Sequence, residues 1–391
     1  MRAACSLPRR LSRASVLVIV MITLLFAAFA LVAFIEKAGN DLLVEHREMQ
    51  ARRLRMEGYS ALEVTLATLE DFRQVLNGLH SPAEGWGDPL AFAGYTPSED
   101  RTVEVTFDDE SSKLSLPNTN AQVLARLFEV WQVPKPEAES AADALMGWMK
   151  RDHVYTTAIS PNYDHGSVPY EVPGRSLRTF DELAAIEKVR DIFYTDDGRA
   201  NDLWRRFVDN VSLLNFAKPN LNAAKPDVLL ALGQFDLSQQ QNITDYLSGE
   251  GMFQSSGPGY FKSLNDAQTV TGSAGGNSGA FATTISALRV NILVREGRSE
   301  FRLAAVVTTG NAASPVQTTA TSTRPKTSSS PTTTPTPNAA GTTANGANAA
   351  GNATGTAAGA NSKNLNYPFT LLEIKENDEI PPLPPPPPAP N

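Results

Sequence analysis

The sequence predicts an α+β fold in which one long N-terminal helix packs on a small antiparallel sheet, with a large all-α domain inserted between the strands. Three observations predict it. An apolar run at residues 16–35 continues into amphipathic sequence, and segments with a period of two lie on both sides of a helical region. A low-complexity C-terminal segment then predicts disorder.

The first helix begins as a candidate membrane span. Between Val16 and Ile35 only Thr23 is polar, and about 20 residues at ~1.5 Å each cover the ~30 Å hydrocarbon core of a bilayer. Arginines at positions 2, 9, 10 and 13 precede the run without an acid, so the N-terminus is expected to be cytoplasmic. A cleaved signal peptide is the alternative, but its apolar region is shorter, ~7–15 residues.

The helix is expected to continue to about residue 79. From residue 41 to residue 72 apolar residues recur mostly at steps of three and four, with no proline. Gly39 and Gly58 weaken the helix locally, by ~1 kcal/mol each.

Residues 80–116 are expected to form the first part of the sheet. A loop rich in glycine and proline leads to a strand at Arg101–Phe107, where apolar and polar residues alternate. Asp108–Glu110 is predicted to be a turn, and Lys113–Leu116 a short return strand.

Residues 117–280 are expected to form the inserted all-α domain, because helical patterns recur there between prolines and glycines. The candidate helices are Asn120–Val130, Glu137–Lys150, Thr179–Ile192, Asp202–Val208, Lys225–Leu232 and Ser238–Leu247.

Residues 281–309 return to a period of two and predict a hairpin of Phe281–Val294 and Glu300–Thr308. Residues 310–365 cannot bury enough apolar surface to fold and are expected to be a disordered loop. Residues 366–380 contain a possible last strand of the sheet, and residues 381–391 form a polyproline tail.

Composition excludes several kinds of function. The only cysteine, Cys5, lies before the apolar run, so the exported part has no disulfide, zinc-binding CxxC motif or cysteine nucleophile. The net charge of −8 argues against nucleic acid as the main partner.

Motifs for catalysis are also missing from the sequence. The histidines (His46, His80, His153 and His165) have no metal-binding spacing, and no GxSxG or phosphate-binding loop is present. The acidic clusters at residues 108–110 and 196–197 are either calcium ligands or, more often in proteins, solvated turns.

The order of these elements resembles that of type IV pilin-like proteins, and more closely the K-type minor pseudopilins of type II secretion systems. Arg13–Leu17 resembles a prepilin-peptidase site, with residues 1–14 as the leader, Ala14 at its end and Ser15 as the first mature residue. The helix then covers residues 15–79. The fifth mature residue is Ile19, where most pilins have Glu and K-type subunits lack it, which implies a position at the filament tip.

Further segments carry the resemblance across residues ~9–308: Trp86–Leu90, Phe107–Leu114, Leu145–Asp152, Arg178–Leu183 and Asn220–Leu232. K-type subunits bind calcium in the α domain. Here Gly147 and Lys150 replace two of the family's aspartates and leave Asp152 alone, so no metal or other cofactor is predicted, although the resemblance keeps calcium possible.

The resemblance implies a structural subunit rather than an enzyme. A prepilin peptidase would cut after Ala14, and the Ser15 amine would be methylated. The subunit would sit in the bacterial inner membrane by a single span, with its body in the periplasm. It would join other minor pseudopilins through its N-terminal helix, contact the inner-membrane platform, and start and cap a pseudopilus that serves protein export.

Two alternatives remain open from the sequence. One is a helix-hairpin-helix DNA-binding protein, because Asn220–Ala224 resembles the start of such helices, although residues 231–236 supply an acid where phosphate binding needs a base. The other is a membrane-anchored envelope enzyme of unknown class, in which Asp152 or His165 would be needed for activity.

Overall fold

The computed structural model describes residues 13–98, 100–159, 163, 170–272, 276–309, 312–315 and 368–380, with side chains from residue 17 onward. The α-helices in these residues are α1 (Arg13–Leu76), α2 (Pro89–Phe92), α3 (Ala121–Val130), α4 (Lys135–Met149), α5 (Glu187–Phe193), α6 (Asp202–Asn210), α7 (Pro226–Gly233), α8 (Leu237–Ser248) and α9 (Leu264–Thr271). The strands are β1 (Arg101–Asp109), β2 (Leu114–Ser115), β3 (Val211–Ser212), β4 (Asn215–Phe216), β5 (Leu288–Glu296), β6 (Ser299–Thr309), β7 (Ala313–Ser314) and β8 (Phe369–Glu376).

The fold is the predicted one: a long helix on a small antiparallel sheet, with helices inserted between two strands. The sheet has the strand order β1-β5-β6-β8, and each neighbouring pair is antiparallel. The inserted helices occur between β1 and β5 in the chain. α1 crosses the sheet and buries one apolar face on β5 and β6.

The predicted hairpin is β5 and β6, joined at Gly297 and Arg298, since Glu296 pairs with Ser299. Gly297 has a φ of +60°, which the first loop position of a type II′ hairpin turn requires. The first seven residues of the predicted strand, 281–287, are irregular instead. They cross from the helical domain to the sheet, and the Ile285 N–H donates to the Leu79 carbonyl (2.7 Å) at the end of that crossing.

The predicted last strand is confirmed as β8, which pairs with β6 across a long separation in sequence. Val306 pairs with Glu373 and Val307 pairs with Leu371, so Leu372 is an extra residue in the strand and forms a β-bulge. Apart from residues 312–315, the low-complexity segment lies outside the described residues, as do most of the leader and the polyproline tail. The predicted domain limits stay predictions.

Two predicted elements are wrong. Lys113–Leu116 does not return to the four-stranded sheet, in which β5 pairs with β1. Instead β2 pairs in parallel with β3, and Leu114 and Leu116 are buried in the helical core.

The predicted helix Thr179–Ile192 breaks at Ile186, which has extended φ and ψ angles, into a 3₁₀ turn at Phe180–Ala185 and α5. At the break, the Tyr170 hydroxyl donates to the Ala185 carbonyl (2.6 Å). It takes the place of the backbone N–H that would donate to this carbonyl in a continuous helix. Sequence analysis also missed α9, although Ser263 and Asp266 form a capping box at its start.

Candidate assembly surface

The N-terminal half of α1 packs against nothing in the described part of the chain. From Leu17 to Met49 every side chain is exposed except that of Ala38, which is half-buried. Large apolar side chains dominate the first part, and Phe29 is 72% exposed. This is the one described helix that is long and apolar enough to cross a membrane. Contact with the sheet begins near Gln50, so residues 36–49, here named the stalk, form ~21 Å of bare helix beyond the apolar run.

Four of the exposed apolar side chains on the stalk and beside it lie on one face of α1. Ile35, Leu42, Met49 and Met56 are spaced by seven residues, which is ~20° short of two full turns, so they form one line that we name the outer stripe. Met56 is 72% exposed. It points away from Leu54, which is buried on the sheet, because a step of two residues turns the helix by ~200°.

α1 therefore has two apolar faces, one on the sheet and one in solvent. The spacing over residues 41–72 predicts one amphipathic face, but the structure assigns Leu42 and Met49 to the outer stripe and Leu54 to the core. The spacing of seven was the signal that separates them. A second apolar face with this spacing is typical of a helix that packs against another helix.

The C-terminal half of α1 lies close to the hairpin. Gly58 is buried, and a Cβ added there would lie 2.8 Å and 2.9 Å from two ring atoms of Phe301 on β6. The glycine that weakens the helix in isolation is therefore what permits this close approach.

A buried carboxylate fixes α1 to the strand beside the hairpin. Glu57 accepts hydrogen bonds from the Tyr95 hydroxyl (2.5 Å), the Ser98 hydroxyl (2.8 Å) and the Arg101 guanidinium (3.0 Å). Burial opposes ionisation of Glu57, but these three donors together lower its pKa. Burial and the neighbouring Glu57 carboxylate raise the pKa of Tyr95 to about 12.

The last strand is tied to the same helix. Glu376 on β8 accepts from the Tyr59 hydroxyl (2.5 Å) and from Arg55 Nη2 (2.8 Å). With the Glu57 cluster at the other edge of the sheet, these bonds hold α1 across all four strands. The direction in which the stalk leaves the sheet is thereby fixed.

The helical domain is attached at the end of the sheet that lies farthest from the stalk. The hairpin end lies beside the start of helix–sheet contact, where Gln50 Nε2 is 3.4 Å from Glu296 Oε1. At the other end, Asp109 pairs with Leu288, and the chain enters and leaves the helical domain there.

The matching family model is described as "Type II secretion system (T2SS), protein K", and it covers residues 106–196. The match confirms the K-type resemblance over the end of β1 and the first helices of the inserted domain. We call residues 106–196 the K-family segment.

The structure is similar to a chain in the crystal structure of the GspK-GspI-GspJ complex of the enterotoxigenic Escherichia coli Type 2 Secretion System. The two chains share 15% sequence identity with a TM-score of 0.47, and the alignment covers 70% of this chain and 96% of the other. The comparison with curated proteins found no match.

Two acids of the cluster at residues 108–110 form a junction rather than a solvated turn, whereas Asp108 is exposed. Asp108 and Asp109 belong to β1, and the Asp109 carboxylate accepts from the Ser111 N–H (2.8 Å) and hydroxyl (2.6 Å) and from Asn220 Nδ2 (2.7 Å). Asn220 Nδ2 also donates to the His80 carbonyl (3.0 Å). Burial is the main cause that raises the pKa of Asp109 to about 6.

The third acid of this cluster is also engaged. Glu110 is buried and pairs with Arg289 (2.7 Å) and Lys113 (3.2 Å). Burial opposes its ionisation, but the two cations outweigh burial and lower its pKa. Asp196 and Asp197 lie in an exposed turn, as one of the two interpretations predicted.

The remaining predicted residues are not brought together. Ala14 and Ser15 lie in the first turn of α1, Ile19 is 58% exposed, and Asp152 is exposed on the surface. His165, Cys5 and the leader up to residue 12 lie outside the described residues.

The residues that resembled a DNA-binding helix pair serve internal contacts. Asn220 and Asn222 are buried, and Asn222 bonds to the backbone of Phe261 and Thr283. Asp236 caps α8 with Gln239, and this helix begins at Leu237, one residue before the predicted start at Ser238.

The residues described at the expected calcium position do not fit a calcium ion. A cavity of about 380 Å³ beside Gly147 is lined by the cations Lys150 and Arg151, with Glu171 as its one carboxylate. Calcium takes six to eight oxygen ligands, mostly from carboxylates. No group of three or more His, Cys, Asp or Glu side chains suited to a metal occurs among the described residues.

Proposed function

We propose that this chain is a minor pseudopilin of a type II secretion system, with a structural rather than a catalytic role. The observation that carries the proposal is the division of α1: its first half is bare and apolar, and its second half is held on the sheet by Gly58, Glu57 and Glu376. A helix built this way spans a membrane and then packs among neighbouring helices. The K-family segment supports the same assignment.

The span at residues 16–35 anchors the chain in the bacterial inner membrane. The basic N-terminus lies in the cytoplasm, and the sheet and helical domain lie in the periplasm. The stalk holds the sheet ~21 Å beyond the apolar run, which leaves the outer stripe open to partners that emerge from the same membrane.

The subunit occupies the tip of the pseudopilus and starts or caps its assembly. Two features support this position. Ile19 replaces the glutamate that most pilins are thought to pair with the N-terminal amine of a neighbour. The helical domain leaves the sheet at the end far from the stalk, where it would obstruct a subunit added above.

Mass spectrometry of the mature N-terminus tests this function most directly. The chain purified from the inner membrane is expected to begin at methylated Ser15, because prepilin peptidase cuts after Ala14. An intact Met1, or cleavage near Ala38 as after a signal peptide, would exclude the proposal.

Disulfide crosslinking tests the outer stripe. The only native cysteine, Cys5, leaves with the leader, so single-cysteine variants have no background. Met49→Cys and Met56→Cys are expected to crosslink to cysteines scanned along the helices of co-expressed minor pseudopilins. Arg47→Cys is the matched control, because Arg47 is exposed on the same stalk ~200° from Met49. Equal crosslinking from all three positions would contradict a stripe-specific interface.

A further inference from the structure

A buried carboxylate in the K-family segment organises the chain that follows α4. Asp143 on α4 is fully buried, and its Oδ2 accepts from the Thr157 N–H (2.7 Å), the Thr157 hydroxyl (2.7 Å) and the Thr156 N–H (2.8 Å). Its Oδ1 lies 2.6 Å from His153 Nε2. We name these four residues the Asp143 cluster.

The cluster folds the irregular segment 150–159 back onto the helix that precedes it. This segment has no regular secondary structure, so its backbone donors need partners from elsewhere. One carboxylate accepts from the backbone N–H groups of two consecutive residues. A single buried side chain therefore fixes the path of the segment.

At Gly147, where the K-type pattern has an aspartate, the space for a side chain is already filled. A Cβ at Gly147 would overlap the Tyr155 hydroxyl, so the space of a side chain at this position is taken by a residue of the folded-back segment. Lys150 adds a positive charge to the same cavity, which repels a divalent cation.

We propose that the Asp143 cluster replaces a metal ion as the element that orders residues 150–159, and that the K-family segment folds without calcium. A metal ion and the Asp143 cluster order a segment through opposite kinds of partner. A cation gathers carboxylate and carbonyl oxygens, whereas the Asp143 carboxylate gathers N–H and O–H donors. The inference concerns folding, so its test does not depend on whether this subunit lies at the pseudopilus tip.

The first arm of the test is thermal unfolding of the full-length chain in detergent, with millimolar calcium or with excess chelator. The unfolding temperature is expected to be the same in both. At a hundredfold excess over its Kd, a bound ion would raise the unfolding temperature by roughly 5–11 °C, and such a rise would overturn the proposal.

The second arm is hydrogen–deuterium exchange in variants. Asp143→Ala is expected to raise exchange at Thr156 and Thr157 by at least tenfold, because no side-chain oxygen at residue 143 is then left to accept from the two amides. Asp152→Ala is the matched control, since Asp152 is an exposed acid in the same segment. Equal exchange in the two variants would overturn the proposal.

Thr157→Val covers the case in which Asp143→Ala fails to fold. It removes one hydroxyl donor and keeps the backbone donor of the cluster. Exchange is expected to rise within residues 150–159 and to stay unchanged in β5 and β6. Unchanged exchange in residues 150–159 would again overturn the proposal.

Discussion

Replacing Gly58 with alanine is expected to weaken the contact between α1 and the sheet. The new Cβ would lie 2.8 Å from Phe301 Cε1, 2.9 Å from Phe301 Cδ1 and 3.6 Å from Val294 Cγ2. Phe301 is only 4% exposed, so its ring has little room to move aside. Overpacking of this kind costs ~1–3 kcal/mol, and two contacts below 3.0 Å place Gly58→Ala near the upper value.

The gain in helix propensity offsets part of this cost. Alanine is ~1 kcal/mol better than glycine within a helix, so the expected net loss is about 2 kcal/mol of unfolding free energy. Denaturant unfolding of the full-length chain in detergent, followed by circular dichroism, measures this loss directly.

Gly39→Ala is the matched control, because nothing lies within 4 Å of a Cβ at this stalk position. It is expected to leave the unfolding free energy unchanged or to raise it by up to ~1 kcal/mol. Adding Phe301→Leu to Gly58→Ala is expected to cost less than the sum of the two single changes, since the smaller side chain relieves the overlap. The reasoning is refuted if Gly58→Ala is as stable as the unchanged protein.

Three further predictions concern the polar contacts. Asn220→Ala removes the donor shared by Asp109 and the His80 carbonyl and is expected to cost ~3 kcal/mol, measured by denaturant unfolding; a loss below 1 kcal/mol would contradict its role at the junction. The raised pKa of Asp109, about 6, means that its stabilising contribution is complete below pH ~4 and is lost as the pH rises through 6. The stability of the unchanged protein minus that of Asp109→Asn should therefore fall over this range, and a rise would contradict the assignment. Glu57→Gln is expected to cost ~2–3 kcal/mol of unfolding free energy because Glu57 is buried. Arg55→Ala is expected to cost under 1 kcal/mol because Arg55 is largely exposed. Equal losses of unfolding free energy in the two variants would contradict this distinction.

Much of the fold could be predicted because its signals are local. The apolar run and its basic flank predict a spanning helix, and alternation predicts strands at residues 101–107, 281–294 and 300–308, which overlap the observed β1, β5 and β6. Even the last strand, which is separated from β6 by a long low-complexity segment, is visible as a short return of apolar character.

Errors arose where a distant partner decides the local conformation. Lys113–Leu116 has the composition of a strand, but its pairing depends on β3, almost a hundred residues away. The helix expected through Ile186 is interrupted where Tyr170 takes the Ala185 carbonyl as a hydrogen-bond acceptor. Neither partner is close enough in sequence to be read from a pattern.

The candidate site divides in the same way. The sequence by itself determined that α1 is long, apolar at its start and amphipathic afterwards, and it supplied the motifs of the K-type resemblance, because spacing and residue type suffice for both. Only the tertiary structure decided which apolar face of α1 stays open, why Gly58 is needed, and that Asp109 and the buried Asp143 hold separate segments together. These properties depend on what each side chain touches, and packing brings together residues that the sequence keeps far apart.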